Sequence, residues 1–270
     1  MKKIIISGTF RSGTTALATL MSLDPKILVM DEVGIYHIDS QKYQKRKCKL
    51  KNITNTKALK GKNLIEKDID DFFLGDFTNK GKIEFLGDKF PEYCGGVDIC
   101  NHLVKKHPDS YFIFTYRNPC ASIYSRIKRC KFELGHTQQL DHDCYKHPWY
   151  FKNLEVSVNE LIKQTENWYK LIYPNIKNKF IINYDDYVNK VDLLIKDLSV
   201  FLGVTIDIDC PETQIGHNEL FDNGKRGLYV NLNPFEYENE LTRGEIAYIL
   251  EKTSAMDKHV KSLIKAQRAI

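Results

Sequence analysis

Gly8-Thr9-Phe10-Arg11-Ser12-Gly13-Thr14-Thr15 has the spacing G-x4-G-x-[ST]. Glycines at that spacing let backbone amides turn inward. A helix amino terminus behind them adds positive potential, so the loop is built to hold an anion such as a phosphate. In the nucleotide-triphosphatase version a Lys precedes the final Ser/Thr and reaches the β- and γ-phosphates. Here that position is Thr14, and the cation comes earlier, at Arg11. The loop is therefore expected to cradle a phosphate, with ATP hydrolysis and kinase chemistry disfavoured.

Such a loop works between a strand and a helix, and the flanking residues supply both. Ile4-Ile5-Ile6 is a short apolar run of the kind buried on both faces of a parallel sheet. From Thr14 the apolar residues Ala16, Leu17, Leu20, Met21 and Leu23 follow helical spacing until Pro25. Ile27-Leu28-Val29-Met30 predicts a second strand, Tyr111 to Tyr116 another, and Phe180 to Tyr184 a further one. Helices are predicted over Val97 to His107, onward from Pro119 through Ala121, Tyr124 and Ile127, and over Val191 to Leu202 with Gly203 at its end. Thr242-Arg243-Gly244-Glu245 has the capping-box pattern and opens a last helix. Strands alternating with helices predict an α/β fold: a single domain, residues 1–270, with a central parallel β-sheet flanked by helices. Two polar stretches, about 38–82 and 130–155, read as insertions over the carboxyl edge of the sheet, where an acceptor would bind.

Arg11-Ser12-Gly13-Thr14-Thr15 after a strand resembles the 5′-phosphosulfate loop of sulfotransferases, which use 3′-phosphoadenosine 5′-phosphosulfate (PAPS). Tyr116-Arg117-Asn118-Pro119, with Ser125 eight positions after the arginine, resembles the 3′-phosphate motif of that family. An arginine there can offer a fork of charge-assisted hydrogen bonds to a phosphate. Asp88-Lys89-Phe90-Pro91-Glu92-Tyr93 is similar to the K-x-P-x-Y segment of the carbohydrate and Golgi-type members. Tyr184-Asp185-Asp186-Tyr187 with Phe201-Leu202-Gly203 resembles their "YEDL … FLG" passage, and Lys225-Arg226-Gly227 their late basic loop. The likeness runs from residue 3 to about residue 250 and implies the P-loop-like sulfotransferase fold. It implies sulfuryl transfer from PAPS to a hydroxyl or amine of a carbohydrate or small molecule. Arg11, Ser12, Gly13, Thr14 and Thr15 would hold the 5′ end. Arg117, Ser125, Lys225, Arg226 and Gly227 would hold the 3′-phosphate, with no metal needed. Glu32, at the carboxyl end of the second strand, is the expected general base, its basicity raised by burial. His37 is the rival base, and Lys89 would steady the sulfuryl group or the acceptor.

Two other readings stay open: a phosphate-loop nucleotide kinase, and a nucleotide-binding module without turnover. Net charge is +5, from 40 Lys plus Arg against 35 Asp plus Glu, which suits an anionic small ligand and falls short of a nucleic-acid binder. No run approaches the ~18 apolar residues of a membrane span. Seven scattered cysteines without a CxxC pair point to a reduced, cytoplasmic setting with structural thiols. The lysine-rich run 42–51 reads as a solvated loop, and Trp149-Tyr150-Phe151 as an anchor. His136, His142, Cys144 and His147 match no common zinc spacing.

Overall fold

The computed structural model describes residues 1–32, 34–37, 83–137, 154–187, 190–208 and 235–268. The stretch 38–82, residues 138–153 of the second expected insertion, and Lys225-Arg226-Gly227 lie outside the described residues, as do the lysine run and the Trp149 anchor.

Five strands form one parallel sheet: β1 (Lys2–Gly8), β2 (Ile27–Asp31), β3 (Phe85–Lys89), β4 (Tyr111–Tyr116) and β5 (Lys179–Asn183). Their spatial order is β2-β3-β1-β4-β5. β1 is central, pairing Ile6 with Lys89 on one side and Gly8 with Thr115 on the other. The chain moves to opposite sides of β1 in its two halves, which opens a crevice at the carboxyl end of that strand.

Alternation along the strands builds two cores. Ile5, Phe112, Phe114 and Ile181 face one layer of helices; Ile4, Ile6, Ile113 and Ile182 face the other. The second layer holds α1 (Thr14–Met21) and α5 (Val191–Leu202). The first holds α2 (Val97–Lys106), α3 (Pro119–Thr137), α4 (Leu154–Asn167) and α6 (Arg243–Gln267). The local signals act as expected at several ends. Gly203 closes α5 at φ 69°, and Thr242 and Glu245 exchange both bonds of a capping box at the start of α6. Among the described residues no helix is long and apolar enough to cross a membrane.

Four features differ from the sequence reading. β3 had no apolar run to announce it, because Gly87, Asp88 and Lys89 fill its second half, yet all five residues are buried. α4 and the wider turn Trp168–Ile172 were not anticipated; they are held by Trp168, which stacks on Phe114 at 4.5 Å. α3 continues through 130–137, where an insertion was expected to begin. β5 stops at Asn183, and Tyr184–Tyr187 is a helical turn. That departure has a cause in the site: Tyr184 leaves the sheet to pack under Gly13 and Arg117.

Candidate active site

The loop after β1 is stitched to the end of β4. Thr9 N donates to Thr115 O at 3.3 Å, and Ser12 Oγ shares a 2.7 Å hydrogen bond with Thr115 Oγ1. Ser12 also donates to Thr9 O from its hydroxyl (2.6 Å) and its amide (3.2 Å). The Ser12 side chain is thus buried and engaged within the loop, where it shapes the turn. A Cβ on Gly8 would lie 2.2 Å from Thr115 Oγ1. One on Gly13 would lie 2.4 Å from the Tyr184 ring, at a backbone φ of 87°. Only glycine permits both approaches. Gly13 caps α1 without a side-chain bond, so the first amides of α1 stay directed at the loop. Arg11, at φ 64°, leaves its side chain exposed.

Arg117 stands one residue past β4. Asn118 Oδ1 accepts from the amides of Cys120 (2.8 Å) and Ala121 (3.2 Å), which caps α3 ahead of Pro119. Asp185 Oδ2 in turn accepts from Asn118 N at 2.6 Å. Burial pushes the Asp185 carboxyl up, against the Asn118 amide and Arg117, which pull it down. The Arg117 guanidinium lies 4.9 Å from the Tyr184 ring centre, and its Nη1 donates to Arg11 O at 3.3 Å. Its buried Nε has no hydrogen-bond partner among the described residues; Asp185 Oδ1, at 4.0 Å, is out of reach. Arg11 Nε donates to Ser125 Oγ at 3.3 Å. The two arginine segments, more than a hundred residues apart in sequence, are therefore bound to each other.

They share one cavity of 610 Å³, lined also by Thr14, Thr15 and Glu32. Glu32 sits at φ 57°, with its amide donated to Lys89 O at 2.7 Å. Its side chain is 52% exposed, not buried as expected, and accepts from Lys89 Nζ at 2.8 Å. Lys89 is only 1% exposed, so it lies behind Glu32 and aims the carboxylate, away from the cavity lining itself. His37 lines an adjoining cavity of 470 Å³ that shares Phe10 and Glu92 with the first.

Fully buried Asp88 holds the loop that carries both base candidates. It accepts from the amides of Gly34 (2.8 Å) and Ile35 (3.3 Å) and from Tyr93 Oη. Burial first, and then Asp88, push the Tyr93 phenol well up, so it remains a donor. Tyr93 Oη accepts from Tyr36 N at 3.1 Å, which closes the set. The sequence had offered Asp88 and Tyr93 only as parts of a motif. Tyr124, Lys128 and Glu236 also line the 610 Å³ cavity and were not anticipated. The i, i+4 spacing of Tyr124 and Lys128 beyond Pro119 was the available signal. Cys94, Cys100 and Cys120 are free and buried. Desolvation pushes the Cys120 thiol up to about 11, which makes it a poor nucleophile.

A family model described as the sulfotransferase family matches residues 3–208. The chain belongs to the sulfotransferase family. Solved structures agree on the fold. The sulfotransferase domain from the Synechococcus PCC 7002 olefin synthase superposes with a TM-score of 0.57 at 16% identity, covering 94% of each chain. The sulfotransferase domain from the curacin biosynthetic pathway gives 0.53 at 15%, covering 94% of this chain and 98% of that one. A sulfotransferase from Alicyclobacillus acidocaldarius gives 0.53 at 15%, covering 98% and 96%. No curated protein sequence matches the chain. In this sulfotransferase the glycine loop after β1, Arg117, Ser125 and Glu32 meet on one cavity; Ser12 and Lys89 support it from behind, and His37 stands apart.

Proposed function

We propose that this sulfotransferase moves the sulfuryl group of PAPS to a hydroxyl or amine of a carbohydrate or small-molecule acceptor, leaving adenosine 3′,5′-bisphosphate. The observation that carries this reading is the pairing of two arginine-bearing anion sites on one cavity of nucleotide size. A nucleotide with phosphates at both ends of its ribose fits two such sites. Arg117 Nε, buried without a hydrogen-bond partner among the described residues, is a donor suited to the second phosphate.

The roles follow from position. Arg11, Thr14, Thr15 and the first amides of α1 face the 5′ end, where negative charge grows on the leaving phosphate. Arg117 and Ser125 take the 3′-phosphate, and the resemblance assigns Lys225, Arg226 and Gly227 to the same group. Glu32, aimed by Lys89, accepts the acceptor's proton. Sulfuryl transfer asks for in-line alignment and charge stabilisation, which these residues can supply without a metal clamp.

Thermal shift tests the donor class. At ~100 times its dissociation constant a ligand stabilises by about 2.7 kcal/mol, or roughly 5 °C for a chain of this length. Adenosine 3′,5′-bisphosphate should raise the melting temperature by that order, and ATP with Mg²⁺ should not. The reverse pattern would favour a kinase. A shift without product from labelled PAPS, across a panel of sugars, phenols, alcohols and amines, would favour a binding module.

Arg117→Ala should weaken the bisphosphate about 100-fold, because charge-assisted bonds to a phosphate are lost. Ser125→Ala should weaken it about tenfold. AMP, which lacks the 3′-phosphate, should bind both variants as it binds the wild type; calorimetry with the two ligands measures this.

A further inference from the structure

One carboxylate on the wall of the donor cavity has no role in the proposed chemistry. Glu236 lies just before the helical turn Tyr237–Glu240, and its Oε1 accepts from Lys128 Nζ at 2.5 Å and from Tyr124 Oη at 3.2 Å. Both donors project from α3 into the cavity that holds Arg11 and Arg117. Lys128 is three residues beyond Ser125 on the same helix, so the two share a face. Ser125 itself accepts from Arg11. Lys128 holds the Glu236 carboxyl below its ordinary range, and Arg117 adds to the effect. A negative group has thus settled among a tyrosine hydroxyl, an ammonium and the field of an arginine, beside the serine assigned to the 3′-phosphate.

We propose that Tyr124 and Lys128 complete the pocket for the ribose-borne phosphate, and that Glu236 fills it as an internal substitute anion which the nucleotide displaces. The inference rests on the donor reading above and adds two ligand contacts and a competitor to it.

The energetics favour exchange. The side chains of Lys128 and Glu236 are 58% and 48% exposed, and an ion pair so exposed contributes little. A phosphate dianion offers more acceptors and more charge to the same donors than a carboxylate does. The Lys89–Glu32 pair is different: its lysine is buried, and breaking a pair with a buried partner costs more. Of these two pairs, the exposed one opens at the lower cost. Glu236 then acts against binding by exactly the amount by which it must be moved, so its removal and the removal of Lys128 have opposite signs.

Calorimetric titration of the full chain with adenosine 3′,5′-bisphosphate and with AMP tests this, using Lys128→Ala, Glu236→Gln and the double variant. Lys128→Ala should weaken the bisphosphate about tenfold. Glu236→Gln should tighten it roughly three- to tenfold, and that gain should vanish when Lys128 is also Ala. AMP should change by less than about twofold in every variant, since it lacks the group that Lys128 receives. Both sites are on the surface, and equal melting temperatures would show that the fold is kept. The proposal is overturned if Glu236→Gln weakens the bisphosphate or leaves it unchanged, since Glu236 then merely positions Lys128 or is a bystander. It is equally overturned if AMP and the bisphosphate respond alike, which would mark a general charge effect. Bisphosphate binding by neither the wild type nor Glu236→Gln would instead remove the donor reading, and this inference with it.

Discussion

Arg11→Ala is expected to lower the rate of sulfuryl transfer by about 10²–10³-fold, the loss typical of one preorganised donor aimed at developing charge. Folding stability should hardly change. The side chain is exposed, and its hydrogen bond to Ser125 is long. The backbone at Arg11 stays at φ 64° whichever non-glycine residue stands there. The loop would therefore still close on Thr115, and α1 would still begin at Thr14. Arg11→Lys should recover only part of the rate, because an ammonium keeps the charge and loses the planar fork. Single-turnover rates with labelled PAPS, set beside melting temperatures, separate chemistry from folding. Near-normal transfer by the alanine variant would remove Arg11 from the reaction.

Glu32→Gln carries the second large effect. Loss of a positioned general base typically slows a reaction by about 10²–10⁴-fold. Glutamine is the informative change because its carbonyl oxygen can still accept from Lys89, whose buried ammonium sits 2.8 Å from the carboxylate. Alanine would remove that partner and mix a stability loss with the catalytic one. The bisphosphate affinity should be unchanged, since the proposed role of Glu32 is toward the acceptor and not toward the nucleotide phosphates. Should Glu32→Gln retain its turnover while His37→Asn loses it, the base is His37, reached through the adjoining cavity.

Much of this site was legible in residues close together in the chain. The glycines at 8 and 13, the run Ile4–Ile6 and the helical spacing after Thr14 define strand, loop and helix without any distant partner. Asn118 and Pro119 mark the start of α3 in the same way, since one caps the helix and the other fits its first turn. The difficult cases share a cause. Nothing local announced the burial of Asp88 and Lys89, because buried charge is rare. Their burial is stabilised by partners far away in sequence, the amides of Gly34 and Ile35 and the carboxylate of Glu32. Tyr184 looked like a strand residue by type; its ring is claimed by Gly13 and Arg117. Ser12 gave no sign of the partners of its hydroxyl, which are Thr9 and Thr115.

Backbone geometry and hydrophobic period act over a few residues, so the primary structure alone specified an anion-binding loop, its flanking strand and helix, and a layered α/β plan. Parallel pairing joins distant parts of the chain, β1 with β4 and β2 with β3. The first brings Arg11 to Arg117 and Ser125, and the second puts Lys89 behind Glu32. No local pattern encodes those meetings, because each depends on where strands far apart in the chain come into register.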